Sequence, residues 1–243
     1  MGYRDYIREE RFPTSWCGGC GIGIVLKAVC QTFEEQGFTY ENTTVVSGIG
    51  CSARSAGYFK LDTVHSIHGR AIPVAEGIKM ANEKMNVFVF SGDGDLLGIG
   101  GNHLLHACRR NTDINIICID NEIYGMTGGQ KSPTTELHIK TLTSPKGNED
   151  RPINVQAIIR AHDDFYARTT VYHYNHLKKC LKEAIEWKGL SFLDIKAPCI
   201  SNNGRRLGFK NGYEMLIHYK DEYKIRTSDN GHLLAEKELG IVK

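Results

Sequence analysis

No run of this 243-residue sequence approaches the roughly 18 consecutive apolar residues that a membrane-spanning helix requires. Charge of one sign is also missing. The formal net charge is +2, so there is neither a basic field for nucleic acid nor an acidic solvating tail. The opening residues, MGYRDYIREERFPTSW, lack the apolar core of a secretory signal, and Tyr6 stands where a myristoylation site needs a small hydroxyl residue. Internal repeats, low-complexity tracts and a second Cys-x-x-C pair are absent too. What is present is ordinary for a globular protein: 41% apolar and 24% charged residues, at a length that suits one domain spanning 1–243. Eight cysteines without a signal peptide point to a reducing, cytoplasmic setting, in which cysteines serve as metal ligands, catalytic thiols or core residues rather than disulfides.

Short β-branched runs alternate with helical periodicity along the chain. Strands are expected at 44–47, 63–67, 87–90, 114–119, 165–171 and 191–196, and helices at about 21–36, 74–84, 97–110, 153–161 and 175–187. Near-continuous apolar strands separated by helices predict an α/β fold, with a doubly wound, mostly parallel sheet of about six strands covered by helices on both faces. Such sheets bind ligands at the carboxyl ends of their strands, which directs attention to the loops 48–54, 91–96 and 120–130. The polar stretch 131–150 reads as a surface loop or lid. No clear strand follows residue 200, so 200–243 is expected to be a tail that wraps the domain or a partner.

The run VFVFSGDGD at 87–95 is a buried strand followed at once by a Gly–Asp–Gly turn. Glycines let backbone approach a phosphate, the next helix points N–H groups at the loop, and Asp93 offers a hard oxygen to Mg²⁺. One strand later, CIDNEIYGMTGGQ places Asn121 in the neighbouring strand-end loop. A carboxylate and an amide oxygen from adjacent loops suit a Mg²⁺–diphosphate. The plain alternative is a surface turn at 92–95 and a cap or Asx-turn at 120–121. A dinucleotide fold is a further rival, because GIGCSA at 48–53 satisfies G-x-G-x-x-A, although the acidic residue expected about 20 positions on is missing.

Trp16-Cys17-Gly18-Gly19-Cys20 is the second strong feature. A thioredoxin-like dithiol would need a strand directly before it, and zinc would need a second close pair. An iron–sulfur cluster remains, with Cys17 and Cys20 as a pair, Cys51 in the GIGC loop as third ligand and Cys199 after the 191–196 strand as fourth. Cys30, Cys108, Cys118 and Cys180 fall on apolar faces of helices or inside a strand and are expected to be core residues.

The motif GDG, then 26 residues, then Asn, together with WCGGCG, GIGCS, HGRA, GGN, YGMTGGQ and a late Cys followed by NNGRR, resembles the β subunits of the 2-oxoacid:ferredoxin oxidoreductases over most of the chain. The resemblance implies the thiamine-diphosphate-binding fold and a metal held by Asp93, Asn121 and the backbone carbonyl of Ile123. It implies a 4Fe–4S cluster on Cys17, Cys20, Cys51 and Cys199, with 1–20 as the cluster-binding segment. Gly92, Gly94, Asp95, Thr127 and Gly128 are the implied diphosphate-loop contacts. The activity implied is CoA-dependent oxidative decarboxylation of a 2-oxoacid, with electrons passing singly through the cluster to ferredoxin; the details look most like the 2-oxoglutarate branch, with pyruvate and branched-chain oxoacids as alternatives and a cluster-only electron carrier as a more distant one. The implied partners are an α subunit, ferredoxin and small γ or δ subunits. Arg54 is either a clamp for a substrate carboxylate or a solvated helix-start arginine. His68 either donates to the keto oxygen or diphosphate or is a turn histidine. His103 and His106 read as packing residues. Glu76 and Glu83 lack the context of the glutamate that activates the cofactor in such enzymes, so that glutamate is expected from a partner.

Overall fold

The structure, a computed structural model, describes residues 2–227 and 232–243. After two 3-10 turns the chain forms α1 (Ile22–Glu35), β1 (Thr43–Ser47), β2 (Asp62–His65), α2 (Ala71–Ala81) and β3 (Asn86–Gly92). A π-helical turn, Gly94–Ile99, leads into α3 (Gly101–Arg110), which stops at Asn111 with a left-handed φ of 48°. Then come β4 (Asn115–Asp120), the small hairpin β5 (Ile123–Tyr124) and β6 (Gln130–Lys131), α4 (Val155–Arg160), β7 (Phe165–Thr170), α5 (Tyr174–Glu186) and β8 (Ser191–Lys196). The carboxyl-terminal part supplies α6 (Gly212–Glu222), β9 (Lys224–Ile225) and β10 (Glu238–Val242).

The sheet order is β2-β1-β3-β4-β8-β7-β10-β9, with the six strands from β2 to β7 all parallel. Alternate residues of each central strand serve opposite faces. Phe88 and Phe90 of β3 join a core with Phe33 of α1 and Leu177 of α5. Val87 and Val89 join a second core with Ile72 of α2, Leu104 of α3 and Ile159 of α4. Burial on both faces is why these strands read as unbroken apolar runs. Emptying one ring site, as in Phe88→Ala, would cost about 3–5 kcal/mol. Chain order turns back between β1 and β3, because β2 lies on one side of β1 and β3 on the other. That switch point opens a crevice at the carboxyl ends of β1 and β3.

Three expectations need correcting. The sheet has eight strands rather than about six, and the segment after residue 200 does contain strand: β10 runs antiparallel to β7, with Val242 opposite Tyr166. Only five residues are involved, set among charged neighbours, so pairing with the exposed edge of β7 decides the conformation rather than any local pattern. The 131–150 stretch is also not wholly surface, because Ser132, Thr134 and Thr135 are buried.

Candidate active site

Three strand-end loops meet at the crevice, and the carboxylate of Asp95 ties them together. It accepts hydrogen bonds from the Ile49 N–H (3.1 Å) after β1, the Gly69 N–H (2.8 Å) and His68 Nδ1 (2.5 Å) after β2, and the Ser91 hydroxyl (2.8 Å) at the end of β3. A β-carbon on Gly48 would lie 2.0 Å from Asp95 Oδ2, so only glycine fits there. The first glycine of GIGCSA and the amide that follows it therefore serve a protein carboxylate rather than a pyrophosphate, which answers the dinucleotide rival. Asp95, expected as a diphosphate contact, has its charge taken up by protein donors and acts as a clamp.

Asp93 is different. It is 2% exposed, and burial pushes its carboxyl up, opposed by the hydroxyls of Ser132 and Thr134 and by the more distant Lys196. Thr134 Oγ1 lies 2.8 Å from Asp93 Oδ2 and 2.7 Å from Asp120 Oδ1, one hydroxyl hydrogen between two carboxylates. Asp120 is compensated separately: Lys196 Nζ is 2.6 Å from its Oδ2 and 2.8 Å from Glu122 Oε1, and the Glu122 N–H donates to its Oδ1. Burial opposes the charge on Lys196, but Asp120 and Glu122 outweigh it and hold the ammonium well above the usual lysine range. Among the described residues no salt bridge reaches Asp93. A buried carboxylate held only by hydroxyls is short of positive charge, which is the condition under which a hard cation binds.

Asn121 and Ile123 face Asp93 across the same cleft, which Gly92, Gly94, His68, Thr127 and Cys51 also line. The Asn121 side chain accepts from the Ile123 N–H (3.3 Å), and its carbonyl accepts from Asn203 Nδ2 (3.1 Å). Glu122 between them has a φ of +61°, the strained position that turns the chain so that both neighbours reach the cleft. Gly94 has a use that the motif does not announce. A β-carbon there would sit 2.2 Å from the ring of Tyr124, whose hydroxyl donates to the Gly94 carbonyl (3.0 Å). Gly128, at φ +113°, turns the chain just beyond the lining residues. With its Nδ1 on Asp95, His68 has Nε2 left for a ligand, and it donates from there only as imidazolium.

The cysteines separate as expected. Cys30, Cys108, Cys118 and Cys180 are at most 1% exposed, and burial pushes the Cys108 thiol up to about 12. The other four lie on loops beside the cleft. Gly125 is packed against both Cys199 and Cys51, since a β-carbon on it would be 3.2 Å from one sulfur and 4.0 Å from the other. The Trp16 indole donates to the Cys51 carbonyl (2.8 Å), and the Gly21 N–H donates to that of Pro198 (3.3 Å), so the 17–20 turn is tied to both distant loops. Burial first, then the neighbouring thiols of Cys199, Cys51 and Cys17, push Cys20 up to about 12. Backbone N–H groups of Asn202 and Asn203 reach the Cys199 sulfur. Among the described residues no three His, Cys, Asp or Glu side chains are grouped to hold a single metal ion, as a closed zinc site would need. Short 3-10 turns, not a strand, precede Cys17, so the thioredoxin arrangement is absent.

Arg54 is exposed and lines a neighbouring cleft with Arg11 and His65, not the one that holds Asp93. Glu76 is engaged by Arg110 (2.9 and 2.6 Å) and Thr112 (2.8 Å), a structural cluster remote from any cofactor role. His103 and His106 do not line the cleft, and neither does any glutamate. Sequence reasoning missed Ser132 and Thr134. Two hydroxyl residues in a polar run carry no signal of burial, and only the fold places them under Asp93.

A buried carboxylate short of positive charge, in a glycine-bordered cleft at a parallel-sheet switch point, is an arrangement that suits a metal-bound diphosphate. The sequence profile described as "Thiamine pyrophosphate enzyme, C-terminal TPP binding domain" matches residues 48–195. The chain is 41% identical over 242 residues to the 2-oxoglutarate synthase subunit KorB of Archaeoglobus fulgidus, covering 99% of this chain and 88% of that one. It is 44% identical to the same subunit of Methanocaldococcus jannaschii (82% and 74% covered) and 41% identical to the 2-oxoacid:ferredoxin oxidoreductase subunit beta of Saccharolobus solfataricus (85% and 68%). Its fold matches the 2-oxoglutarate:ferredoxin oxidoreductase of Magnetococcus marinus, solved with 2-oxoglutarate, coenzyme A and succinyl-CoA bound, with a TM-score of 0.88 and 28% identity, covering all of this chain and 84% of that one. The chain belongs to the 2-oxoacid:ferredoxin oxidoreductase β subunits, oxidoreductases that bind thiamine diphosphate and work with an α subunit. Among the described residues no helix is long and apolar enough to cross a membrane.

Proposed function

We propose that this chain is the cofactor-bearing β subunit of a 2-oxoglutarate:ferredoxin oxidoreductase, holding Mg²⁺–thiamine diphosphate in the Asp93 cleft and a 4Fe–4S cluster on Cys17, Cys20, Cys51 and Cys199. The carrying observation is the junction at Gly125, where the cleft wall and two cysteine sulfurs are one backbone apart. Gly125 would therefore border both the bound cofactor and the cluster. When bound, thiamine diphosphate supplies the nucleophilic carbon and the electron sink for decarboxylation, and the cluster a one-electron path. Asp93, Asn121 and the Ile123 carbonyl would hold the cation, and Ser132 and Thr134 fix Asp93 in place. Gly92, Gly94, Thr127 and Gly128 would border the diphosphate, while Asp95 keeps the loops together. His68, held through Nδ1 by Asp95, would meet the substrate oxygen or diphosphate through Nε2. Arg54 would hold a substrate carboxylate.

The whole chain, 1–243, is read as one cofactor-binding unit. The segment around Cys17 and Cys20 would carry two of the cluster ligands, while β10 and β9 extend the sheet beyond β7 and Gly212 of α6 packs on Gly19. A reducing cytoplasm suits eight unpaired cysteines. Ferredoxin, CoA and small γ or δ subunits complete the set of partners, and the absence of glutamate from the cleft lining gives the α subunit the task of activating the cofactor.

The test is co-expression with the α subunit, followed by assay of 2-oxoglutarate, pyruvate and branched-chain 2-oxoacids with CoA and a viologen acceptor. Preference for 2-oxoglutarate supports the reading. A brown complex that binds thiamine diphosphate but turns over none of these acids sinks it.

A further inference from the structure

A second π-helical turn, Ile200–Gly204, follows Cys199 directly. Two of its residues are asparagines that bond to both halves of the site. The main-chain N–H groups of Asn202 and Asn203 reach the Cys199 sulfur. Their side-chain amides donate elsewhere, Asn202 Nδ2 to the Gly125 carbonyl (2.6 Å) and Asn203 Nδ2 to the Asn121 carbonyl (3.1 Å). Those carbonyls stand at the two ends of the 121–125 loop, which lines the cofactor cleft with Asn121, Ile123 and Tyr124. One short turn thus holds a cysteine sulfur with its backbone and the cation loop with its side chains.

Packing fixes the turn in place. Gly129, at φ +102°, lets the chain lie against Asn202, since a β-carbon on it would be 3.3 Å from Asn202 Cβ. A β-carbon on Gly204 would come within 2.5 Å of the Met215 sulfur of α6, and one on Gly19 of the 17–20 turn within 3.7 Å of Ile200. Asn203 is 4% exposed, and its Oδ1 is buried without a hydrogen-bond partner among the described residues. An unpaired polar atom in such a place lowers stability, and an apolar side chain of similar size would not. What the amide supplies is the bond to Asn121.

We propose that Asn202 and Asn203 are positioning residues that couple occupancy of the cation site to the electron affinity of the cluster. This rests on the function proposed above, with the cation on Asn121 and Cys199 as a cluster ligand. N–H groups bond a sulfur more strongly as it gains negative charge, so reduction of the cluster draws the turn toward Cys199. A bound cation fixes the 121–125 loop, and through the two amides it holds the same N–H groups on the sulfur. Each event favours the other: cofactor binding raises the potential of the cluster, and a reduced cluster tightens the cofactor. Linkage makes the two effects equal in size.

The test uses the assembled complex without oxygen and needs no turnover. Affinity for thiamine diphosphate with Mg²⁺ is measured by equilibrium dialysis, first with the cluster oxidised and then with it reduced by dithionite. In the wild type, reduction should tighten binding about fivefold or more, the lower end of coupling between two sites. In the double variant Asn202→Ala/Asn203→Ala, with iron content unchanged, that ratio should fall by half or more. A through-space effect of charge survives the substitutions, whereas the tether does not. A redox titration followed by electron paramagnetic resonance reads the reciprocal effect: cofactor should raise the midpoint potential in the wild type and raise it less in the variant. A wild-type ratio near one, or a ratio that falls by less than half in the variant, overturns the coupling. Should the double variant not assemble, Asn202→Ala and Asn203→Ala are each judged by the same measure. A wild-type complex that lacks iron or binds no thiamine diphosphate fails the proposed function and the coupling with it, so the two failures are told apart.

Discussion

The carboxylate side and the thiol side of the cleft are built on the same plan and held in opposite ways. Both draw on loops at the carboxyl ends of parallel strands, joined on the thiol side by the 17–20 turn, and both are locked where a glycine admits a neighbour: Asp95 over Gly48 on one side, Pro198 over Gly21 on the other. On the carboxylate side the lock is electrostatic, with four donors on Asp95 and a hydroxyl bridge under Asp93. On the thiol side the backbone is tied, but burial first and neighbouring sulfurs second push the thiols of Cys20, Cys51 and Cys199 up. The first region can hold its shape before any ligand arrives. The second has its loops in place, and a metal bound there would have to displace thiol protons.

Removing Asp93 tests the carboxylate side most severely. Asp93→Ala deletes the buried oxygen that faces the cation, and affinity for Mg²⁺–thiamine diphosphate should fall more than about a hundredfold, beyond what loss of a supporting residue costs. Calorimetry on the assembled complex measures this, and unchanged affinity would move the metal elsewhere.

The thiol side is probed by two serine substitutions at residues of opposite kind. Cys199→Ser removes a loop thiol beside Gly125 and should give a labile cluster, with iron falling toward a three-iron species. Cys180→Ser alters a residue of the α1–α5 core and should leave iron content unchanged. Iron analysis together with visible absorption distinguishes them, and the reverse pattern removes Cys199 from the ligand set.

Much of this was legible in the sequence, for physical reasons. The six parallel strands are buried on both faces and so carry continuous apolar runs, while Asp93, Asn121 and the four loop cysteines sit in motifs whose chemistry is local. What stayed hidden depends on tertiary packing. Gly94 reads as room for a phosphate, yet it is Tyr124 that occupies the space beside it. Arg54 lies next to Cys51 in sequence but points into the adjacent cleft. β10 is decided by the free edge of β7. Thr134 looks like any hydroxyl in a solvated loop.

Asp95→Asn keeps the shape of the clamp and removes its charge. Three of the four donors meet Oδ1 and one, the Ser91 hydroxyl, meets Oδ2, so the new amide would face at least one donor where an acceptor now stands. Stability should fall by about 2–4 kcal/mol, the range for breaking a buried charged network. Thermal unfolding of the complex reads this. Because the loops themselves loosen, cofactor affinity should fall along with stability.

Thr134→Val sharpens the contrast further, because it should separate those two quantities. Valine matches threonine in shape, so the buried turn at 132–135 keeps its packing. What it lacks is the one hydrogen shared between Asp93 and Asp120. Asp120 retains the Lys196 ammonium and the Glu122 N–H, so that carboxylate stays compensated. Asp93 retains only Ser132, and its position toward the cation loosens. Affinity for Mg²⁺ in the presence of thiamine diphosphate should therefore drop about tenfold, the usual effect of losing a residue that orients a metal ligand. Unfolding should change by no more than about 1–3 kcal/mol. Thr134→Ser restores the hydroxyl without the methyl and should return the affinity. If the valine variant binds Mg²⁺ as tightly as the parent, the hydroxyl bridge is a packing contact, and Asp93 is oriented by its place at the start of the π-helical turn alone.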